Sequence, residues 1–282
     1  MQSSALKEQL THKGLGWQLV ERVRTLNRKI LDLYRAPLGW NLQRKPDSSP
    51  VTAADLMAHN FLEKMLLELT PGVPVLSEEG AAVSVQERRS WPLYWLVDPL
   101  DGTQEFVNRS DEFSVNVALM FHGRPLLGLV SLPVQDRVYV GIQEQGAYCW
   151  EHGAGRSLVP LQAPPRDPIL AVSRRRADGK AKALADSLET EAAWCQLGGA
   201  LKFCEIAEGR AHIYPRFSPV CEWDVAAGHA LIASLGAQVY QENGAPLVYN
   251  EKNTLEEVFF CACLPEMLGQ VLPFWLDILK GD

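Results

Sequence analysis

An apolar run that ends abruptly in acidic residues, a proline and a glycine constrains this chain more than any other feature. Residues 95–97 (Trp-Leu-Val) are followed by residues 98–103 (Asp-Pro-Leu-Asp-Gly-Thr). Pro99 removes a backbone donor and fixes φ, and Gly102 frees the chain to turn. We therefore expect a strand that ends with the apolar run, and a turn that directs both carboxylates and the Leu100 carbonyl at one point.

Carboxylate and carbonyl oxygens around one point suit a hard divalent cation, and Mg²⁺ before softer metals. Thr103 is predicted to cap a following helix, whose first N–H groups could hold a phosphate group. Adjacent metal and phosphate sites indicate phosphoryl chemistry. An ordinary acidic turn after a core strand is the alternative for this segment.

Composition narrows the class of protein. The chain has 282 residues, which fits one large domain or two small ones, and 47% of them are hydrophobic. The formal net charge is −7 and the pI is about 5.5, which argues against binding to a nucleic-acid polymer. An anionic small substrate remains compatible with this charge if metal ions supply local positive charge.

The six cysteines show no zinc-binding spacing, so we expect reduced, buried thiols and a cytoplasmic location. The first ten residues lack the features of a signal peptide, and no apolar run approaches the ~18 residues of a transmembrane helix. Peripheral attachment to the inner membrane stays open.

Hydrophobic periodicity predicts an N-terminal α+β half over residues 1–158. It should contain two helices packed on a largely antiparallel sheet. The predicted helices span residues 17–34 and 52–69, and the predicted strands span residues 74–77, 93–97, 113–121, 126–132 and 137–142.

A cluster of prolines from Pro160 to Pro168 marks a plausible domain boundary. Beyond it, residues 159–282 are predicted to form an α/β half with some parallel strand pairing, because strands and helices alternate. The predicted strands are 169–172, 194–197, 211–214 and 237–240, and the predicted helices are 178–189, 200–208 and 223–235.

Three further acidic residues lie at predicted element ends. Glu78 follows a short strand, Asp55 begins the second helix and Asp224 begins the helix at 223–235. Each has a structural explanation: Glu78 a solvated loop, Asp55 a capping box with Thr52, and Asp224 the helix dipole. Together with residues 98–103 they instead indicate one acidic site.

Four segments carry a family resemblance: residues 45–55 (Lys-Pro-Asp-Ser-Ser-Pro-Val-Thr-Ala-Ala-Asp), 77–79 (Ser-Glu-Glu), 98–103 and 223–228 (Trp-Asp-Val-Ala-Ala-Gly). They are similar to the signatures of the lithium-sensitive, Mg²⁺-dependent inositol monophosphatase superfamily. The chain most resembles its bacterial 3′(2′),5′-bisphosphate nucleotidases, through residues 75–79, 94–98, 201–204, 214–217 and 222–224. The resemblance runs from about residue 15 to about residue 265.

The resemblance implies a layered αβαβα sandwich with the site between the two halves. It implies that two or three Mg²⁺ ions are bound by Glu78, Asp98, Asp101, Asp224 and the Leu100 carbonyl. It makes Asp55 and Thr103 the residues that orient and deprotonate the attacking water, with Glu78 as a further catalytic residue. The implied substrate-binding residues are Glu78, Leu100, Asp101, Gly102, Thr103, Lys202, Arg216 and Asp224.

Three departures from the closer relatives affect substrate choice. Gln104 stands where they tend to carry Lys. Gly199 and Ala200 replace two serines of a segment that helps to hold the 5′-phosphate, although Lys202 remains. Residues 174–176 are three arginines where the relatives have Arg-Ser-His; these arginines either contact phosphate or form a solvated face.

Three functions compete. The first is a Mg²⁺-dependent phosphatase that removes the 3′-phosphate of adenosine 3′,5′-bisphosphate to give AMP, a recycling role in sulfur metabolism. The second is an inositol or sugar phosphate monoesterase, and the third a non-enzymatic metal-binding regulatory protein. The basic residues favour a nucleoside bisphosphate, and the relatives imply a monomer or homodimer.

Overall fold

The computed structural model of the chain describes residues 10–36, 43–44, 50–163, 165–174, 179–188 and 193–280. Within these ranges, a π-helical turn (His12–Gly16) precedes eight α-helices: α1 (Trp17–Arg35), α2 (Ala53–Leu69), α3 (Val85–Arg89), α4 (Thr103–Val107), α5 (Gly179–Ser187), α6 (Leu201–Ala207), α7 (Glu222–Ala233) and α8 (Pro265–Lys280). The strands are β1 (Gln43–Arg44), β2 (Pro50–Val51), β3 (Val75–Ser77), β4 (Leu93–Asp101), β5 (Ser114–Phe121), β6 (Arg124–Leu132), β7 (Arg137–Ile142), β8 (Gly146–Glu151), β9 (Ala154–Ser157), β10 (Ile169–Ser173), β11 (Ala193–Leu197), β12 (Ile213–Val220), β13 (Gln238–Tyr240) and β14 (Val258–Cys263).

The larger sheet follows chain order, from β3 to β9. Only β3 and β4 pair in parallel, and the other neighbours in this described sheet are antiparallel. The prediction of a largely antiparallel first sheet is confirmed. Strands β1 and β2 form a separate antiparallel ribbon.

The smaller sheet has the order β11-β10-β12-β14-β13. Strand β10 pairs in parallel with β11 and β12, whereas β14 pairs antiparallel with β12 and β13. The predicted mixture of strand pairings is therefore present. The first sheet ends at Ser157 and β10 begins at Ile169; the division into halves at 158/159 stays a prediction.

The elements stack in five layers. Helices α1 and α2 cover one face of the larger sheet, and α7, with α6 beside it, covers the other. The smaller sheet follows, and α5 and α8 lie against its outer side. This arrangement confirms the αβαβα sandwich.

Strand β5 shows why both faces of the larger sheet must be covered. Val115, Val117 and Leu119 belong to the core under α1 and α2, while Ala118 and Met120 belong to the core on the α7 side. Successive side chains of a strand point to opposite faces, so one strand supplies both cores.

Strand β4 is longer than the sequence predicted. It was expected to end at Val97, but it continues to Asp101, with a register shift against β5 between Asp98 and Asp101. Asp98 lies opposite Asn116 and Asp101 opposite Ser114, so β4 carries an extra residue. Such a bulge accommodates Pro99, which cannot donate to a ladder.

Several predicted features of single side chains can be checked. All six cysteines lie in the described ranges and none is disulfide-bonded. His229 is buried with Nδ1 3.0 Å from the Tyr249 hydroxyl, and burial lowers its pKa to about 4. Among the described helices, none combines the length and apolarity needed to cross a membrane.

Candidate active site

Three aspartates from two elements meet between the sheets. Asp98 and Asp101 lie at the carboxyl end of β4, and Asp224 lies in the first turn of α7. Each offers a carboxylate oxygen, and these oxygens lie within 4.8 Å of one another. The bulge in β4 accounts for the pair: it lets two residues three apart present their carboxylates to the same place.

Close packing fixes the position of α7. A Cβ atom on Gly128 of β6 would lie 2.2 Å from the Ala227 carbonyl oxygen, and one on Gly141 of β7 would lie 2.5 Å from the Leu231 Cα. Only glycine permits this approach of the helix to the sheet. The backbone of α7, and with it Asp224, is thereby held close to the strands that support β4.

The electrostatics of the three aspartates follow from burial and mutual repulsion. Burial raises the pKa of Asp98 well above its usual value, and the nearby charges of Glu78, Asp101 and Asp224 raise it further. Burial and the nearby charges of Asp101 and Glu78 raise the pKa of Asp224 to about 8. Burial also raises the pKa of Asp101, although the Lys202 ammonium opposes this shift.

The donor set fits a hard divalent cation. Three carboxylates that repel one another in a buried place favour an ion of high charge, and oxygen ligands alone select Mg²⁺-like ions over softer metals. Glu78 follows β3 and its N–H donates to the Val97 carbonyl at 3.1 Å, which continues the pairing of β3 with β4. Its charge acts on all three aspartates, although it is not a member of their compact group.

Asp55 and Thr103 form a hydrogen-bonded pair beside these carboxylates. The Thr103 hydroxyl donates to Asp55 Oδ1 at 2.9 Å and lies 3.2 Å from the Leu100 carbonyl oxygen. Asp55 Oδ2 accepts from the backbone N–H and hydroxyl of Thr52 at 2.8 and 2.6 Å. The capping box that was the structural alternative for Asp55 is present.

The predicted cap by Thr103 is wrong. Gly102, with φ of 89°, is the N-cap of the short helix α4, and Thr103 is its first helical residue. Thr103 already belongs to the first helical turn, and its hydroxyl donates to Asp55 Oδ1. A Cβ on Gly102 would lie 3.0 Å from the Glu112 carbonyl oxygen, so both the positive φ and the lack of space favour glycine here.

Two polar residues of β5, which the sequence analysis did not identify, also belong to the site. Ser114 Oγ and Asn116 Nδ2 each donate to Asp101 Oδ2 at 3.3 Å. Both belong to the less hydrophobic set of alternating positions in β5. The signal in the sequence was the presence of these two polar residues in a strand whose other residues are hydrophobic.

The two basic residues implied to bind substrate differ in burial. Lys202 is 2% exposed, and its ammonium donates to the carbonyls of Leu197 and Gly199 at 3.1 and 2.7 Å. Burial lowers its pKa to about 8, against the attraction of Asp101. Arg216 is half-buried, and its Nε donates to the Ser218 carbonyl at 3.1 Å.

Other predicted residues lie elsewhere or cannot be placed. Gln104 is on α4, where its amide donates to Asn108 Oδ1 at 3.2 Å. The Lys-Pro-Asp-Ser-Ser part of the first family segment, residues 45–49, lies outside the described residues, as do Arg175 and Arg176.

Fold and site together define an αβαβα-layered protein with an acidic, oxygen-lined centre between its two sheets. The sequence model of the inositol monophosphatase family matches residues 18–259. The chain therefore belongs to the inositol monophosphatase family.

Individual relatives refine this assignment. The 3′(2′),5′-bisphosphate nucleotidase CysQ of Escherichia coli strain K12 is 42% identical over 237 residues, which cover 84% of this chain and 94% of that protein. CysQ of Haemophilus influenzae is 33% identical over 267 residues, covering 90% and 96%. The crystal structure of CysQ from Bacteroides thetaiotaomicron, a bacterial member of the family, has a TM-score of 0.72 at 36% identity and covers 86% of this chain and 93% of that one.

Proposed function

We propose that this chain is a Mg²⁺-dependent phosphatase that hydrolyses the 3′-phosphate of adenosine 3′,5′-bisphosphate to give AMP and phosphate. The observation that carries the proposal is the group of three converging aspartates beside the hydrogen-bonded Asp55–Thr103 pair. The relatives named as 3′(2′),5′-bisphosphate nucleotidases support the choice of substrate.

Asp98, Asp101, Asp224, Glu78 and the Leu100 carbonyl are the proposed holders of two or three Mg²⁺ ions. Bound there, Mg²⁺ would make water a stronger nucleophile at neutral pH and offset the negative charge that develops on the phosphoryl and leaving oxygens.

The pair formed by Asp55 and Thr103 is proposed to prepare the attacking water. Because the Thr103 hydroxyl gives its hydrogen to Asp55 Oδ1, its oxygen can accept a hydrogen bond from a water molecule. A proton can then pass from the water through Thr103 Oγ1 to Asp55 Oδ1. Burial raises the pKa of Asp55, which makes it a better proton acceptor than an exposed aspartate.

Lys202 and Arg216 remain proposed substrate contacts, together with Gly102 and Thr103 at the start of α4. The Lys202 ammonium gives two of its three N–H donors to backbone carbonyls, so one donor is left for a substrate oxygen. These contacts would favour a substrate with a second phosphate group. We also propose a cytoplasmic location and a monomeric or homodimeric state.

A panel of phosphomonoesters tests the proposal. Phosphate release should be fastest from adenosine 3′,5′-bisphosphate, should require Mg²⁺ and should be inhibited by Li⁺ uncompetitively or non-competitively. A preference for inositol phosphates or sugar phosphates would replace the proposed substrate by the alternative one. A lack of hydrolysis throughout the panel would favour a non-enzymatic metal-binding protein.

Replacing Thr103 by valine tests the proposed role of its hydroxyl. We expect Thr103→Val to lower kcat at least about tenfold, which is part of the roughly 10²–10⁴-fold that general acid–base catalysis supplies, because Asp55 remains. The loss of unfolding free energy should stay near about 1 kcal/mol, because Asp55 keeps both bonds from Thr52. Steady-state kinetics and chemical denaturation measure the two effects.

Thr25→Val is the matched control, since the Thr25 hydroxyl is hydrogen-bonded to the Glu21 carbonyl on α1. This control should retain wild-type kcat. An equally active Thr103→Val protein would exclude the proposed proton path.

A further inference from the structure

One carboxylate connects the acidic site region to two segments of the smaller sheet. Glu112 precedes β5, and its Oε1 and Oε2 accept from Nη2 and Nε of Arg174 at 2.5 and 2.9 Å. The same Oε2 accepts the backbone N–H of Gly198 at 3.0 Å. The Glu112 side chain is only 13% exposed, so this is a partly buried, bidentate ion pair.

Both partners of Glu112 lie at carboxyl ends of parallel strands. Arg174 follows β10 and Gly198 follows β11, and Ser173 at the end of β10 pairs with Leu197 at the end of β11. In α/β sheets, ligands bind outside the carboxyl ends of parallel strands. The Glu112–Arg174 pair therefore occupies an edge that is suited to a ligand.

The turn at residues 198–200 connects this edge to the acidic site. A Cβ on Gly199 would lie 3.1 Å from Asp101 Oδ2, and the Ala200 N–H donates to Ser114 Oγ at 3.4 Å. Gly198 lacks room for a side chain, because a Cβ would lie 2.9 Å from the Glu112 backbone oxygen. The Glu112 carboxylate thus connects Arg174 to the turn beside Asp101.

The arginine is also accessible. The Arg174 side chain is 52% exposed, whereas Lys202 is 2% exposed. Glu112 takes two of the five N–H donors of the guanidinium. A guanidinium that a carboxylate holds in a fixed plane is well suited to a phosphate group.

We propose that Arg174 contacts the phosphate group of the substrate that is not hydrolysed, and that Glu112 is the positioning residue that holds its guanidinium in place. The proposal rests on the proposed function, because it needs a substrate with two phosphate groups. It assigns a role to the first of the three consecutive arginines.

Arg174→Gln tests the contact. KM for adenosine 3′,5′-bisphosphate should rise at least about tenfold, the scale of a lost charge-assisted hydrogen bond, with kcat little changed. KM for adenosine 3′-monophosphate, which lacks the second phosphate, should stay the same. Arg210→Gln is the matched control, because Arg210 makes the same bidentate pair with Glu205 at 2.8 and 2.8 Å, and it should leave both KM values unchanged.

Glu112→Gln tests the positioning role. The glutamine oxygen can still accept the Gly198 N–H, but its NH₂ group cannot accept from Arg174. KM for the bisphosphate should rise in this variant too, and Glu112→Gln combined with Arg174→Gln should be no worse than Arg174→Gln alone. Thermal melting checks that each variant is folded.

Product inhibition gives a second readout. AMP keeps the 5′-phosphate, so its inhibition constant should rise in Arg174→Gln by the same factor as KM. Equal increases in KM for both substrates would overturn the proposal, because they would show that the Glu112–Arg174 pair only holds the two sheets together. A lower KM for the bisphosphate in Glu112→Gln would overturn the positioning role, because it would show that Glu112 competes with substrate. A wild-type enzyme without preference for the bisphosphate would overturn the proposed function itself, before any variant is compared.

Discussion

Replacing Asp101 by asparagine should lower kcat by about 10²-fold or more, because it removes one of three negative charges that converge within 4.8 Å. The amide keeps the size of the side chain, and one oxygen remains to accept from Ser114 and Asn116. The loss would therefore reflect charge rather than shape. Steady-state kinetics at saturating Mg²⁺ measure it.

The same substitution should leave the metal-free protein as stable as wild type or make it more stable. Burial raises the pKa of Asp101, which means that the folded protein disfavours its charged form. The melting temperature without Mg²⁺ should stay unchanged or rise, while the stabilisation gained on adding Mg²⁺ should shrink.

Asp186→Asn on the exposed surface of α5 is the control and should change neither property. A folded Asp101→Asn protein with wild-type kcat would remove Asp101 from the site.

Replacing Gly128 by alanine should destabilise the protein by about 3 kcal/mol or more, at the upper end of overpacking effects. The new Cβ would lie 2.2 Å from the Ala227 carbonyl oxygen, a backbone atom in the middle of α7 that cannot move alone. The helix must shift away from β6, and Asp224 shifts with it. We therefore expect kcat to fall in whatever fraction remains folded, and denaturant unfolding with an activity assay measures both effects.

Gly269→Ala on α8 is the matched control, since nothing lies within 4 Å of its Cβ position. Alanine in a helix is favoured over glycine by roughly 0.5–1 kcal/mol, so this variant should be slightly more stable. A Gly128→Ala protein as stable as wild type would show that α7 is not held by this contact.

The local parts of the fold could be predicted from the sequence. Helices α1 and α2 and the alternation in β5 depend on neighbouring residues, and the structure has them where the periodicity indicated. Strand β14 and helix α8 were not predicted. Helix α8 contains Pro273, which interrupts the local helix signal.

The errors arose where distant residues decide the outcome. The continuation of β4 depends on its pairing with β5, and the Thr103 hydroxyl is directed by Asp55, 48 positions earlier. The Glu112–Arg174 pair joins residues 62 positions apart. None of these partners can be chosen from local propensity.

Two of the proposed site residues also hold the helices on which they lie. Asp55 accepts the N–H of Thr52 at the start of α2, and Asp224 accepts the N–H of Cys221 at the start of α7. Each is therefore favoured for folding as well as for chemistry. A descendant that had lost all activity would still be under selection to keep both acids, so their presence is poor evidence that a homologue is active. Asp101, whose charge the folded protein also disfavours but which caps no helix, is the better diagnostic position, because a lineage that has lost activity should lose this acid first.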